Sequence, residues 1–231
     1  MIIAGKPACL EPQMAGKKRE KVAALTRSII LESAYELFRE NGIDGTTMDD
    51  ISRHSEYSKS SIYKYFGSKD GIVCHLIYEG IEYLQGKLQE DAKQSQSFAD
   101  FYRRFYTSIA EIREKYPLYY DGIVGALPFE YNAPASDIRK KIYIAGETLN
   151  EIVEEQIAKG MADGEIASEE DLSGSAIFMR FCLMGIVDKI ALKEEYLAYK
   201  LGKTKEEFME FAFSKLLKLF ISPPSPPKKK L

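Results

Sequence analysis

Residues 46–73, TTMDDISRHSEYSKSSIYKYFGSKDGIV, decide the fold of this chain. Thr47 is suited to cap a short helix, and Asp50, three positions on, completes a capping box. Met48 and Ile51 give that helix an apolar edge, and it ends near His54. Ser58 can cap a second helix over 59–65. Ile62 and Phe66 fall on one side of it, leaving Lys59, Ser60, Ser61, Tyr63 and Lys64 for the other faces. Ser68 then opens a third helix with a buried stripe of Ile72, Val73, Leu76, Ile77, Ile81, Leu84 and Leu88. Only three or four residues part these helices, the length a helix-turn-helix needs.

The polar face carries the chemistry. From Tyr57 to Lys69 there is no acidic residue, while Lys59, Lys64 and Lys69 are all present. Ammonium groups neutralise phosphates and release counterions. Hydroxyls of serine and tyrosine bond to phosphate oxygens or base edges. The backbone amides that follow Ser68 favour an anion at that helix end. Three lysines alone fit a solvated face equally well; the capped helix pair tips the reading toward DNA.

The segment from Arg27 to Ile77 resembles the DNA-binding domain of the tetracycline-repressor (TetR) family of transcription regulators. ILESAYELFRENG is similar to the family's first helix; TTM-x-D-I and then S-K-x-x-[IL]-Y-x-[YH]-F-x-S-K follow. The matching residues are Thr46, Thr47, Met48, Asp50, Ile51, Ser58, Lys59, Ile62, Tyr63, Tyr65, Phe66, Ser68 and Lys69. The resemblance covers about the first third of the chain. It implies that Thr47, Ser58, Tyr63, Tyr65 and Lys69 hold phosphates, and that Lys59, Ser60, Ser61 and Lys64 lie nearest the base edges. Two positions depart from the pattern. The family's Ala-Gly-Val turn is here Ser55-Glu56-Tyr57, which puts Glu56 where a left-handed conformation is expected, and a Gly-Thr pair is replaced by Ser60-Ser61. Arginine and asparagine, the strongest base readers, are missing from the recognition helix, so DNA shape is expected to share the readout.

Composition excludes some classes. The chain has 231 residues and a formal net charge of −3. Residues 1–70 hold 11 Lys/Arg against 10 Asp/Glu, and the remainder is acidic, so a non-specific electrostatic DNA coater is disfavoured. Cys9, Cys74 and Cys182 are too far apart for a zinc site and too few for a disulfide framework, which predicts reduced thiols in a cytoplasm. Neither a signal peptide nor a membrane-spanning run is read from the sequence. His54 and His75 are the only histidines, with no metal-ligand spacing, phosphate loop or nucleophile elbow around them. The sequence thus predicts no enzyme, no catalytic residue, no metal and no cofactor.

The rest reads as helix, giving an all-α chain with an N-terminal three-helix DNA-binding domain joined to a larger helical ligand-binding and dimerisation domain. The expected divisions are a leader over 1–16, a helix-turn-helix domain over 17–70, a helical domain over 71–222 and a Pro/Lys tail over 223–231. The first helix is expected over 18–41, burying Ile29, Ile30, Ala34, Leu37 and Phe38, with Gly42 ending it. Beyond the third helix of the motif, segments are expected over 98–115, 118–131, 135–163, 169–199 and 204–221, the last opened by a Thr204–Glu207 capping box.

Two further features concern partners. The last two segments carry wide apolar faces, including Phe178, Phe181, Met184, Ile186 and Val187, then Phe208, Phe211, Ala212, Leu216, Leu219 and Phe220. The family resemblance makes these a four-helix homodimer interface, which would set two recognition helices about 34–36 Å apart along one duplex. The middle of the chain is rich in aromatics, and a small, largely apolar effector is expected against Tyr102, Phe105, Tyr106, Tyr119, Tyr120, Ile123, Phe129, Phe178 and Cys182. Taken singly, each of these aromatics suits a core position. The function expected is a ligand-responsive DNA-binding regulator, most often a repressor in such proteins. The alternatives are a helix-turn-helix protein-interaction module and, behind it, a small helical enzyme.

Overall fold

A computed structural model describes residues 11–125, 137–167 and 171–221. The described residues form ten helices and no strand; Ile166 and Ile221 make an isolated antiparallel bridge. The all-α expectation holds. The helices are α1 (Glu11–Gly45), α2 (Met48–Ser55), α3 (Lys59–Phe66), α4 (Lys69–Gln94), α5 (Phe98–Lys115), α6 (Pro117–Ile123), α7 (Asp137–Ala162), α8 (Leu172–Leu192), α9 (Glu194–Leu201) and α10 (Lys205–Leu217). The chain divides into two compact units between Leu76 and Ile77, inside α4. Among the described residues no helix is long and apolar enough to cross a membrane.

In the first unit, α1 starts at Glu11, earlier than the leader expected to residue 16 allowed. Pro12 is compatible with this because the first helical turn needs no N–H from it. The helix leaves helical geometry at Gly42, whose φ of 75° explains why glycine stands there. Ile30, Leu31, Ala34 and Phe38 of α1 are buried and share the unit's core with Ile51, Ile62, Phe66 and Ile72, whereas Ile29 and Leu37 are only half-buried. Burial of each such side chain is worth about 1.5–3 kcal/mol. Thr46 is buried as well. Its hydroxyl donates to the carbonyls of Leu37 (3.2 Å) and Gly42 (2.8 Å), which fixes the corner between α1 and α2.

In the second unit, α5 lies against α6, α7, α8 and α10, and α7 and α10 both pack on α8. Its core includes Phe101, Tyr102, Phe105, Leu149, Val153, Met179, Leu183 and Phe213. The second-unit part of α4 meets α6 at two glycines. A Cβ on Gly80 would lie 2.9 Å from Tyr119 Cβ, and one on Gly122 would lie 3.1 Å from Ile77 Cγ1, so the two backbones approach closely. Two helices differ from expectation. The segment expected over 169–199 is two helices, α8 and α9, parted at Lys193, where φ is −125° and the N–H bonds to Ile190 O at 3.2 Å. No proline or glycine marks that break. The segment expected over 118–131 stops at Ile123, and Gly125 (φ 75°) turns the chain. Residues 1–10 of the expected leader, Phe129 and the expected tail over 223–231 lie outside the described residues.

Candidate functional site

The polar face of α3 is built by two caps and a turn. Thr47 Oγ1 accepts from Asp50 N–H (3.2 Å) while Asp50 Oδ2 accepts from Thr47 N–H (2.9 Å), the reciprocal box expected from the sequence. The Thr47 hydroxyl also donates to Asp50 Oδ2 (2.6 Å), and these bonds hold the Asp50 carboxyl below its ordinary pKa. Glu56 ends α2 in the left-handed region (φ 59°, ψ 17°), as its place in the turn predicted. Among the described residues it is the one non-glycine with positive φ. Glu56→Gly should therefore stabilise the first unit by about 0.5–1 kcal/mol, the left-handed strain less glycine's entropic penalty. A higher melting temperature for the variant is the expected result, and a lower one would show that the carboxylate compensates.

Ser58 caps α3, accepting from Ser61 N–H at 3.2 Å; its oxygen also lies 3.0 Å from Ser60 Oγ and 2.9 Å from Ser61 Oγ. Ile62 and Phe66 are buried beneath the helix. Lys59, Ser60, Tyr63 and Lys64 sit at i, i+1, i+4 and i+5 and are all exposed, so they share one outward face. Ser61 and Tyr65 are half-buried at its flanks, and the Arg27 guanidinium lies 5.9 Å from the Tyr65 ring centroid. Arg27 was not among the expected site residues, and no spacing pointed to it.

Three expected phosphate or base contacts are engaged inside the unit. Lys69 Nζ donates to Ile43 O (2.7 Å) and Thr46 O (3.0 Å), so it ties the start of α4 to the α1–α2 corner instead of pointing outward. Lys59 of α3 forms an ion pair with Asp49 of α2, a residue the sequence reading did not single out. The hydroxyl of Thr47 serves its cap. Of the expected set, Ser60, Tyr63 and Lys64 are exposed without such ties to neighbouring helices. At the far end of α3, Gly67 has φ 74°, and a Cβ on Gly71 would stand 1.8 Å from Phe66 O. No side chain fits that corner.

The second unit holds a cavity of about 740 Å³ between α4, α6, α7 and α8, within the size range of small-molecule sites. Of the expected effector residues that are described, Ile123 alone lines it. The four tyrosines of that set have different places, where their hydroxyls find protein partners. Tyr102 OH donates to Phe213 O (3.2 Å), Tyr106 OH to Glu210 Oε2 (2.7 Å), Tyr119 OH to Glu79 Oε2 (3.0 Å) and Tyr120 OH to Met184 O (2.9 Å). Burial pushes Tyr106 and Tyr120 up to about 12, which keeps both as donors. Tyr106 stacks on Phe213 with centroids 4.0 Å apart, and Phe105 is fully buried. These aromatics fill the core. Phe178 is exposed, and Cys182 lines a separate apolar groove of about 540 Å³ between α8, α9 and α10. Residues that sequence reading missed are Arg139, Lys140, Tyr143, Glu147 and Asn150, all of α7, in the cavity wall. Their spacing along one helical face was a usable signal. Among the described residues no group of His, Cys, Asp or Glu is placed to hold a metal ion.

Comparison with known proteins agrees with this geometry. Residues 30–76 match the family model described as "Bacterial regulatory proteins, tetR family". The chain is 26% identical over 194 residues to the biofilm operon icaADBC HTH-type negative transcriptional regulator IcaR of Staphylococcus aureus (strain Newman), covering 83% of this chain and 97% of that protein. Among solved structures it is similar to the MbdR regulator from Azoarcus sp. CIB (TM-score 0.61, 21% identity, 83% of this chain and 97% of that one). It is also similar to the transcriptional regulator FadR from Bacillus subtilis in complex with stearoyl-CoA (TM-score 0.61, 17% identity, 83% and 96%). The likeness runs through both units, and no enzyme activity attaches to it. With its boxed α2, its strained turn and its hydroxyl- and ammonium-lined α3, the segment 30–76 is a DNA-binding segment of the TetR type of transcriptional regulator.

Proposed function

We propose that the protein is a DNA-binding repressor that works in the cytoplasm as a homodimer and leaves its operator when a small effector occupies the α4–α6–α7–α8 cavity. The observation that carries this reading is the outward face of α3, with Ser60, Tyr63 and Lys64 exposed over a buried Ile62 and Phe66. Lysine and the hydroxyls supply phosphate and base-edge contacts. Lys59 joins them by exchanging Asp49 for a phosphate, and Asp49 competes with DNA for it.

The dimer reading is supported by the apolar groove between α8, α9 and α10 and by the exposure of Phe181 (63%) and Phe211 (47%) beside it. A twofold pairing of this face would cover it. The effector reading is supported by the cavity and by its α4 wall. Ile77 and Ile81 line the cavity on the helix that begins with Lys69. A guest that prefers one position of that helix shifts the population toward it, and a coupling of about 1–3 kcal/mol changes DNA occupancy severalfold.

The test is a gel shift of the full chain on the DNA flanking its own gene, across a salt series. Specific retardation is expected, weakening as salt rises. Lys64→Ala should reduce the slope of log affinity against log salt by about one unit. Lys59→Ala should reduce it less, because its ion pair with Asp49 already offsets part of its charge. Equal slopes for wild type and both variants would remove the α3 face from the DNA, and absence of any retardation would end the repressor reading.

A further inference from the structure

We propose that the part of α1 ahead of the matched segment 30–76 is a second DNA contact, a basic helix that holds backbone phosphates flanking the stretch met by α3. This rests on the DNA-binding reading above and adds a surface to it. The helix-turn-helix is itself poor in available positive charge: residues 28–70 hold five Lys/Arg against eight Asp/Glu. Three of those cations are engaged, Arg53 with Asp50, Lys59 with Asp49, and Lys69 with the carbonyls of Ile43 and Thr46. Duplex DNA carries one negative charge per about 1.7 Å, so a motif of this balance gains little from phosphates unless positive charge comes from elsewhere. Residues 17–27 supply it, with Lys17, Lys18, Arg19, Lys21 and Arg27 against Glu20 alone.

The sequence leaves these charges to a partner. Ion pairs on a helix form three or four residues apart, and no carboxylate stands at that spacing from Lys18, Arg19 or Lys21; Glu20 is so placed only for Lys17. Residues 1–10 contain no Asp or Glu, and from 11 to 18 the one carboxylate is Glu11, about two turns before Lys18. Arg19 and Lys21 are exposed, as are Val22 and Leu25, and from Arg19 onward the first buried residue is Thr26. Residues 19–25 thus stand clear of the first unit's core yet stay helical, as their Arg, Glu, Lys, Ala and Leu favour. The next turn fixes where they start. The Arg27 guanidinium lies 5.9 Å from the ring centroid of Tyr65, at the flank of the outward face of α3. From there back to Lys18 the helix continues for about 14 Å at 1.5 Å per residue, the span of about four phosphates on one strand.

The test compares the full chain with a triple variant, Lys18→Gln, Arg19→Gln and Lys21→Gln, and with a conservative one, Lys18→Arg and Lys21→Arg. Gel shifts across a salt series use the DNA flanking the gene, and an unrelated duplex of equal length that reports sequence-independent binding. The triple variant should lose about two to three units from the slope of log affinity against log salt. Its affinity should fall by about tenfold or more on both duplexes, keeping the ratio between them, because phosphates carry no sequence information. The arginine variant should keep the wild-type slope. Hydroxyl-radical footprinting should show protection lost at backbone positions outside those that remain protected. If circular dichroism shows that the triple variant has lost helix, Lys21→Gln alone decides, with an expected loss of about one slope unit. An unchanged slope, an unchanged footprint or a fall confined to the gene-flanking duplex would each overturn the proposal, while wild-type retardation still upheld the repressor reading. No retardation by the wild type would overturn both.

Discussion

Gly71→Ala should abolish operator binding while leaving the second unit folded. The added Cβ would lie 1.8 Å from the carbonyl oxygen of Phe66 and 3.0 Å from its carbonyl carbon. Ordinary carbon–oxygen contacts begin near ~3.3 Å, so the two backbones must part by about 1.5 Å. The obstacle is main chain and cannot rotate away. Relief has to come from the corner that joins α3 to α4, and Phe66 anchors that corner by its burial and by an edge-on contact with the His75 ring (5.0 Å between centroids). Moving it lifts the exposed face of α3 off the register that Ser58 and Gly67 set. Overpacking and backbone displacement of this kind cost about 3 kcal/mol, and DNA affinity should fall by about 100-fold or more. Gel shift gives the affinity, and circular dichroism with sedimentation gives the state of the remainder. Wild-type affinity in this variant would mean that the corner has slack the geometry does not show.

Ile186→Glu should yield monomers. Ile186 lines the apolar groove with Phe208 and Ala212. If a second copy covers that groove, a carboxylate there is buried without a partner, and the twofold repeats the penalty in the same assembly. Each such group costs several kcal/mol, more than an interface of ordinary strength tolerates. Sedimentation at micromolar concentration should show half the wild-type mass. Operator affinity should drop by about 10²–10⁴, since one protein no longer grips two half-sites at once. A variant that stays dimeric would move the interface off this face.

What could be read from residues alone was what local chemistry determines. The caps at Thr47, Ser58 and Thr204, the stripe of α4 from Ile72 to Leu88, and the left-handed Glu56 all follow from side chains acting on their own neighbours. The break between α8 and α9 at Lys193 has no such marker among its own neighbours in the sequence. The same distinction divides the sites. The face of α3 was legible because one helix presents it. Several expected effector residues stand in the core and not at the cavity, because tyrosines suited to a pocket equally suit a core, and the choice turned on acceptors such as Phe213 O and Met184 O that no pattern reveals. Lys69 shows the same effect: its motif position is ordinary, yet the carbonyls of Ile43 and Thr46 take its ammonium.

The tight crossing at Gly80 and Gly122 limits how this protein can diverge. Mutation cannot thicken that wall without wedging two main chains apart, so descendants that acquire new chemical tastes must do so by changing the side chains of α7. Lineages of such proteins should therefore vary at the cavity-lining Arg139, Tyr143 and Glu147 and stay small at the two glycines.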